Sequence, residues 1–245
     1  MDLELEYPND GGEFKPELMY RDQGDDVPRA RPLLTGDILS GLHLEGRNGI
    51  TEERMVIIMQ HPCSMRTNGV DLAWRIQAVE VLPHEPIKAS MWQRGNFHFM
   101  PFPDLLGGNY AADFDLPYLL TPDQIQQAKR VATLSQTGLN LLLQRNVHYA
   151  SRVVVPTAQL QEVTSAFMEE ADLCEEWCEE LWDSEDTDTL YNVDETIRHL
   201  ASEFTTWIRE KDNYGIRRQD RLSDPQARSA VRKEMRKKLR TRKNM

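Results

Sequence analysis

Six short segments of β-forming residues, separated by polar turns and prolines, constrain the fold more than any other feature of the sequence. They occupy residues 36–44, 54–60, 72–83, 96–103, 111–120 and 130–135. No stretch between the first three is long enough for the helical crossover that neighbouring parallel strands require. The second, "RMVIIMQ", is continuously apolar, as in a strand buried on both faces. The pattern therefore predicts a small, partly open β-barrel and not a parallel sheet.

Helical signals dominate the chain after residue 120. Thr121-Pro122 and Ser223-Asp224-Pro225 each place a capping residue before a proline, and Ser135 can cap a second helix. A further helix is expected over about 192–211. The clearest apolar stripe begins near Thr157 and recurs at three- and four-residue steps. It contains Leu160, Val163, Phe167, Ala171, Cys174, Trp177 and Leu181. The predicted fold class is α+β, with a small, partly open SH3-like β-barrel followed by C-terminal helices.

The predicted organisation has four parts. Residues 1–35 are rich in glycine and proline and predict an irregular N-terminal arm. Residues 36–156 form the barrel-like domain, with helices inserted in it. Residues 157–215 form an acidic helical region. Residues 216–245 form a basic C-terminal helix or tail.

Charge is distributed very unevenly along the chain. The net charge is −11, yet residues 217–245 hold twelve Lys or Arg and three Asp or Glu, a net charge of +9. Residues 169–188 hold eleven acidic residues and no basic one. Charge blocks of this kind usually serve association or solubility, and not the fold itself.

The cysteines and the chain's apolar pattern predict a cytoplasmic protein. There are three cysteines, an odd number that does not suit a disulfide framework. Cys174 and Cys178 lie one helical turn apart on an apolar stripe, which favours core packing. No uninterrupted apolar run is long enough to span a membrane, and "MDLELEYPND" lacks the features of a signal peptide. No phosphate-binding glycine loop or Cys-x-x-Cys pair is present, so neither a cofactor nor a metal is expected.

Several motifs taken together resemble a group of uncharacterised bacterial proteins. The resemblance covers about residues 36–156 and is carried by Gly36-Asp37-Ile38, "VIIMQHPCSM", "NFHFMPFP", "ADFDLPYLLTPDQI" and "KRVATLSQTGLNLLLQR". The opening strands also resemble PemK/MazF-type toxins, SH3-like barrels that cut RNA. That family has Arg-Pro before its second strand, whereas this chain reads "EERMV", with Arg54 and no proline. The resemblance implies a barrel in a phage-defence or toxin–antitoxin type of system.

Three residues, one at the start of the second predicted strand and two just after its end, are the candidates for catalysis. His61 and Cys63 are two residues apart, and on an extended chain their side chains would face the same side. A thiolate beside an imidazolium is a plausible nucleophile. Arg54 is the third candidate, as the position shared with the toxins. The alternative interpretation is that His61 and Cys63 only end the strand, because Pro62 stops pairing there.

The basic C-terminus is the strongest candidate binding segment. Its stripe of Ala227, Val231, Met235 and Leu239 is narrow. We expect the helix to order by docking on nucleic-acid phosphates, on a partner protein, or on the acidic segment 169–188. The candidate binding residues are Arg217, Arg218, Arg228, Arg232, Lys233, Arg236, Lys237, Lys238, Arg240, Arg242 and Lys243.

The sequence thus predicts a non-enzymatic cytoplasmic bacterial adaptor or binding subunit of a multi-protein or nucleic-acid-associated system. Its expected partner is another protein of the same system, with nucleic acid as the alternative and no membrane. The competing hypothesis is an enzyme: a MazF-like endoribonuclease using Arg54 and His61, or a thiol-dependent hydrolase using Cys63.

Overall fold

The computed structural model describes residues 4–46, 48–95, 97–182 and 193–243. Asn96 at the start of a predicted strand, the acidic residues of 183–188 and the start of the helix predicted from 192 lie outside the described residues. The chain divides into two compact units. The barrel unit comprises Met1–Val27, Leu34–Met65 and Leu72–Gln161, and the helical unit comprises Pro28–Leu33, Arg66–Asp71 and Glu162–Met245.

Among its described residues, the barrel unit contains nine β-strands, four α-helices and the start of a fifth. The strands are β1 (Asn9–Asp10), β2 (Glu13–Phe14), β3 (Tyr20–Gln23), β4 (Ile38–Glu45), β5 (Thr51–Ile58), β6 (Ile76–Pro83), β7 (Phe99–Leu105), β8 (Gly108–Leu120) and β9 (Lys129–Leu134). The helices are α1 (Pro62–Met65), α2 (Ala89–Arg94), α3 (Pro122–Gln127), α4 (Gln136–Ser151) and the start of α5 (Thr157–Trp182).

Seven of the strands form one antiparallel sheet that curls into a nearly closed barrel. The strand order is β3-β9-β4-β5-β6-β8-β7, and β1 and β2 form a separate hairpin. The two edge strands are linked by a side chain, because the Tyr20 hydroxyl donates to the Pro103 carbonyl at 2.8 Å. The Leu106 amide, just after β7, donates to Gln23 Oε1 on β3 at 2.7 Å. The prediction of a mixed α+β fold, with a partly open barrel and C-terminal helices, is therefore confirmed at this level.

Local chemistry explains where the elements of the barrel begin. Gly36 has φ of +90°, a conformation that favours glycine, and it turns the chain into β4. The Asp37 carboxylate beside it accepts the Leu34 amide at 2.9 Å. Thr121 makes a complete capping box with Gln124 at the start of α3, as its position before Pro122 predicts.

Residues near the N-terminus take part in the barrel unit. Leu5 and Met19 are buried, and β3 pairs with β9. The Met19 carbonyl lies so close to Gly138 on α4 that a Cβ at that position would clash with it. Glu6 accepts the Thr157 amide at 2.8 Å, and so fixes the first turn of α5.

The helical unit is a bundle with its own apolar core. Its helices are the remainder of α5, α6 (Val193–Arg209), α7 (Arg218–Arg221) and α8 (Pro225–Lys243). The core consists of Leu173, Cys174, Trp177, Cys178, Leu181, Leu200, Phe204, Trp207, Ile208, Leu222, Val231, Met235 and Leu239. Both helical cysteines are therefore core residues, whereas Val163, predicted to lie in the apolar stripe, is 67 % exposed. No helix in the described part of the chain is both long and apolar enough to cross a membrane.

Candidate functional site: the cationic surface of the helical unit

Helix α8 is held in place by burial along one face. It begins after Asp224, whose carboxylate accepts the Gln226 amide at 2.9 Å. Val231, Met235 and Leu239 are each at most 3 % exposed. Three of the four residues of the predicted apolar stripe thus belong to the core that α8 shares with α5 and α6, whereas Ala227 is only half-buried. This position of α8 determines which of its cations remain available for a ligand.

Cations flanking the buried face pair with acidic residues of α5 and α6. Arg232 lies 2.9 Å from Glu169, Arg236 lies 2.6 Å from Glu176, and Lys243 lies 2.5 Å from Glu180. The hydrogen bond from Lys243 lowers the pKa of Glu180 below its ordinary value. Such partly exposed pairs contribute little to stability, because water and salt screen them. Arg242 also pairs with Glu203 of α6.

Other members of the predicted binding set are structural too. Arg218 donates to Glu234 at 3.1 Å and to the Trp207 carbonyl at 3.0 Å. Its guanidinium also lies over the Trp207 ring, 5.0 Å from the ring centroid. Arg228 donates to the Leu222 carbonyl and to the Ser165 hydroxyl, each at 2.8 Å. These arginines therefore tie α8 to the rest of the bundle.

The remaining five members of the set point to solvent. Arg217, Lys233, Lys237, Lys238 and Arg240 are exposed, and their side chains make no hydrogen bond or ion pair within the described ranges. At about 100° per residue, Lys233, Lys237 and Arg240 lie roughly 140–160° around the helix from Met235. They form one stripe along the side opposite the buried face. We call these three residues the outer cationic stripe.

Arg54, the first catalytic candidate, is occupied by contacts within the barrel unit. Its guanidinium pairs with Glu80, which is 2 % exposed, and donates to the Leu44 carbonyl at 3.2 Å. The hydrogen bond with Glu80 raises the pKa of Arg54 above its ordinary value. The Tyr118 hydroxyl donates to the same Glu80 carboxylate at 3.1 Å. The group is a closed charge cluster that stabilises neighbouring strands.

His61 directly precedes α1 and Cys63 lies in its first turn, and both residues are exposed. The chain is not extended there, because α1 begins at Pro62. The His61 ring is directed at its own turn: Nδ1 accepts the Cys63 backbone amide at 3.2 Å. The His61 carbonyl accepts the Ser64 amide at 2.9 Å. The expectation of two side chains facing one side rested on an extended chain, and that premise is wrong.

A polar cleft on α6 was not predicted from the sequence. It has a volume of about 460 Å³ and is lined by α6 and by the loop from Asn68 to Asp71. Arg209 closes one side by donating to the Asn68 carbonyl at 2.8 Å. The cleft is wide open and contains both signs of charge, with Glu195 and Arg198 on its rim. Within the described residues, no group of three or more His, Cys, Asp or Glu could hold a metal ion.

The turn between α6 and α7 was also missed by the sequence reasoning. It presents Tyr214, which is 88 % exposed. The residues "KDNYGIR" carry a turn signal in Asp212, Asn213 and Gly215 that could have identified it.

Comparison with known proteins adds no functional assignment: no protein-family model matches the chain, and no curated protein matches it significantly.

Proposed function

We propose that the protein is a non-enzymatic binding subunit that holds nucleic acid through the outer cationic stripe of α8. The observation that carries the proposal is that the faces of this helix have different surroundings. One face is buried, the flanks are paired, and Lys233, Lys237 and Arg240 are exposed and make no hydrogen bond or ion pair among the described residues, although the charge of Arg240 helps to lower the pKa of Glu180. Cations that folding does not use are available to phosphates.

The negative net charge of the whole chain does not prevent such binding. At physiological salt the Debye length is about 8 Å, so a phosphate on α8 responds to the charges beside it. Helix α8 contains nine Lys or Arg and one acidic residue, Glu234. Those of its cations that pair with α5 and α6 are on its flanks, so the stripe itself stays positive.

The broader setting of the proposal comes from the sequence resemblance. On this proposal the protein is a cytoplasmic bacterial adaptor in a phage-defence or toxin–antitoxin type of system. It has an SH3-like barrel, and its partner is another protein of the same system. The barrel unit would then serve association, and the helical unit would serve nucleic-acid contact.

The test is a binding titration with a matched charge control. A labelled oligonucleotide is titrated with the parent and with Lys233→Gln/Lys237→Gln/Arg240→Gln at several salt concentrations. We expect the parent to bind with a steep salt dependence, and the variant to lose about two from the slope of log K against log salt. The control removes three exposed cations of the barrel unit, Lys88, Arg94 and Lys129, and should bind as the parent does.

Two results would contradict the proposal. One is a parent protein that binds no oligonucleotide at low salt. The other is an equal loss of binding in the stripe variant and the control, because only overall charge would then matter. If the stripe variant instead loses a co-purifying acidic protein and no nucleic acid is bound, the surface is a protein interface.

We expect no RNA cleavage, because Arg54 is engaged with Glu80 and the His61 ring accepts its own turn's amide. The purified protein should leave a mixed single-stranded RNA intact. Cleavage that disappears in Arg54→Ala would overturn this expectation. Since that substitution leaves Glu80 without its main partner, the double variant Arg54→Met/Glu80→Gln serves as the folded comparison, and circular dichroism checks both.

A further inference from the structure

The turn Lys211–Arg217 is a small preformed hairpin within the helical unit, and an antiparallel bridge joins its two ends. The Asp212 amide donates to the Ile216 carbonyl at 2.8 Å. The Asp212 carboxylate accepts the amides of Tyr214 at 2.9 Å and Ile216 at 3.0 Å. Gly215 has φ of +78°, which suits glycine at the turn. The tip is therefore fixed by its own hydrogen bonds.

This fixed turn displays two apolar side chains to solvent. Tyr214 is 88 % exposed and Ile216 is 48 % exposed. A turn needs only small or polar residues at such positions. A rigid exposed aromatic ring loses little conformational entropy on binding, because its backbone is already ordered. Tyr214 is thus a preorganised contact.

The base of the turn is anchored beside the unpaired cations of α8. Arg218 and Arg221, which follow the turn, donate to Glu234 at 3.1 and 2.9 Å. Lys237 and Lys238 lie three and four residues beyond Glu234, where side chains on a helix surface are neighbours, with Cβ atoms about 5–6 Å apart. Glu234 thus joins the base of the turn to the segment of α8 that carries Lys237 and Lys238, and Arg217 is exposed at the end of the turn.

We propose that Tyr214 is a stacking platform for a base of single-stranded nucleic acid, while Arg217, Lys237 and Lys238 contact the adjoining phosphates. The inference rests on the proposed function and names its ligand class. Aromatic side chains beside a basic track bind single strands, because unpaired bases expose their faces. In a duplex those faces are covered by neighbouring base pairs, so a lone exposed ring gains little there.

The test compares single-stranded and duplex probes of the same sequence, about 12 nucleotides long, within the usual site sizes of single-strand binders. Fluorescence anisotropy gives the affinity of the parent, Tyr214→Ala and Tyr214→Phe. We expect the parent to prefer the single strand. Tyr214→Ala should weaken single-strand binding about tenfold or more, with an unchanged salt slope, and Tyr214→Phe should bind as the parent does. Trp74→Ala removes another exposed aromatic side chain, in the barrel unit, and should have no effect.

A spectroscopic readout keeps the result independent of small affinity changes. In Tyr214→Trp the new indole should be quenched by the single-stranded probe and not by the duplex. Because Tyr214 packs against little, all these variants should keep the parent's circular dichroism spectrum.

The inference fails if Tyr214→Ala binds the single strand as tightly as the parent, or if it weakens single-strand and duplex binding equally. If the stripe variant still loses binding in either case, the proposed function stands without this refinement. A parent protein that binds neither probe overturns both.

Discussion

Arginine residues have opposite situations in the two units. In the barrel unit, Arg145 of α4 is 1 % exposed and donates to the carbonyls of Trp92 at 2.9 Å, Gly95 at 3.0 Å and Phe99. In the helical unit, Arg240 is exposed and makes no hydrogen bond or ion pair within the described ranges. Both residues are arginines, so the composition of the chain cannot distinguish them. Their surroundings show that Arg145 has a structural role and that Arg240 is available to a ligand.

Burial of Arg145 carries an electrostatic cost that its hydrogen bonds offset. Desolvation lowers the pKa of Arg145 to about 10. The side chain therefore remains charged at neutral pH. Its guanidinium donates hydrogen bonds to carbonyls of α2, of Gly95 at the C-terminal end of α2, and of β7. Because the guanidinium of Arg145 donates its hydrogen bonds to carbonyls of the same unit, its role is structural and not ligand binding.

The largest expected effect tests this distinction directly. Arg145→Leu removes the donor for the buried Trp92 carbonyl and for the partly buried carbonyls of Gly95 and Phe99, and a carbonyl left buried without a donor costs about 1–3 kcal/mol. We expect the free energy of unfolding to fall by about 4 kcal/mol or more, measured by urea denaturation. The matched substitution Lys237→Leu should change it by less than about 0.5 kcal/mol. Equal losses at the two positions would break the comparison.

Met235→Ala should have the next largest effect, and it sharpens the comparison within α8 itself. Met235 is completely buried, so the substitution should destabilise the helical unit by about 2–5 kcal/mol. Hydrogen exchange of peptides from α5, α6 and α8 should report the loss locally. The stripe variant, on the opposite face, should leave the same exchange rates unchanged. Faster exchange in the stripe variant would show that the outer cations also hold the helix.

Point substitutions are needed for this question, because truncation mixes the two roles of α8. Deletion of residues 217–245 removes the cations, but it also removes Leu222, Val231, Met235 and Leu239 from the core of the helical unit. We therefore expect the truncated protein to lose thermal stability, whatever its ligand is.

A smaller effect concerns an acidic residue of α5 and depends on pH. Burial raises the pKa of Glu170 above its ordinary value of 4.5, although Gln219 donates a hydrogen bond to its carboxylate at 2.9 Å. Below pH 4.5 the carboxyl group is protonated in both the folded and the unfolded state. As the pH rises through the window above 4.5, the unfolded state ionises first and the folded state is relatively destabilised.

Glu170→Gln should therefore be more stable than the parent at pH 7, and the difference should vanish below pH 4.5. Thermal unfolding across this range measures it. Glu169→Gln is the matched control, since it removes the neighbouring carboxylate, which pairs with Arg232. A parent that equals Glu170→Gln in stability at both ends of the range would contradict the assigned burial effect.

The sequence predicted those features that depend on neighbouring residues. Thr121 before Pro122 marks a helix start by itself, and the apolar residues of α8 recur at a helical spacing. The close approach of Gly138 to the Met19 carbonyl and the burial of Arg145 depend on contacts between distant segments, which no local pattern encodes.

The candidate site was predictable to the same extent. The cationic character of 217–243 is plain in the sequence, but which cations are available depends on the rotation of α8 against α5. Tyr214 was overlooked because an aromatic residue in a short polar stretch is usually buried by the fold, and this one is not.

The smallest expected effect concerns His61 and Cys63 of the barrel unit. Like the outer cationic stripe of α8, these two residues are exposed, but they share no other property with it. Two local hydrogen bonds stabilise this turn: the His61 ring accepts the Cys63 amide, and the His61 carbonyl accepts the Ser64 amide. The carbonyl persists after substitution. We therefore expect His61→Ala/Cys63→Ser to lose less than about 1 kcal/mol of stability. Its oligonucleotide affinity should stay within a few-fold of the parent.

The decisive measurement is chemical reactivity and not stability, because substituting residues that have no function could also lower the stability slightly. The parent and the double variant are compared for cleavage of RNA and of ester substrates, and for modification of Cys63 by iodoacetamide as a function of pH. Without an activating base, Cys63 should be alkylated slowly at pH 6, and at the same rate in the parent and in His61→Ala. Rapid alkylation at pH 6 that His61→Ala abolishes would reveal an activated thiolate, and would make the barrel unit a catalytic domain instead of a scaffold.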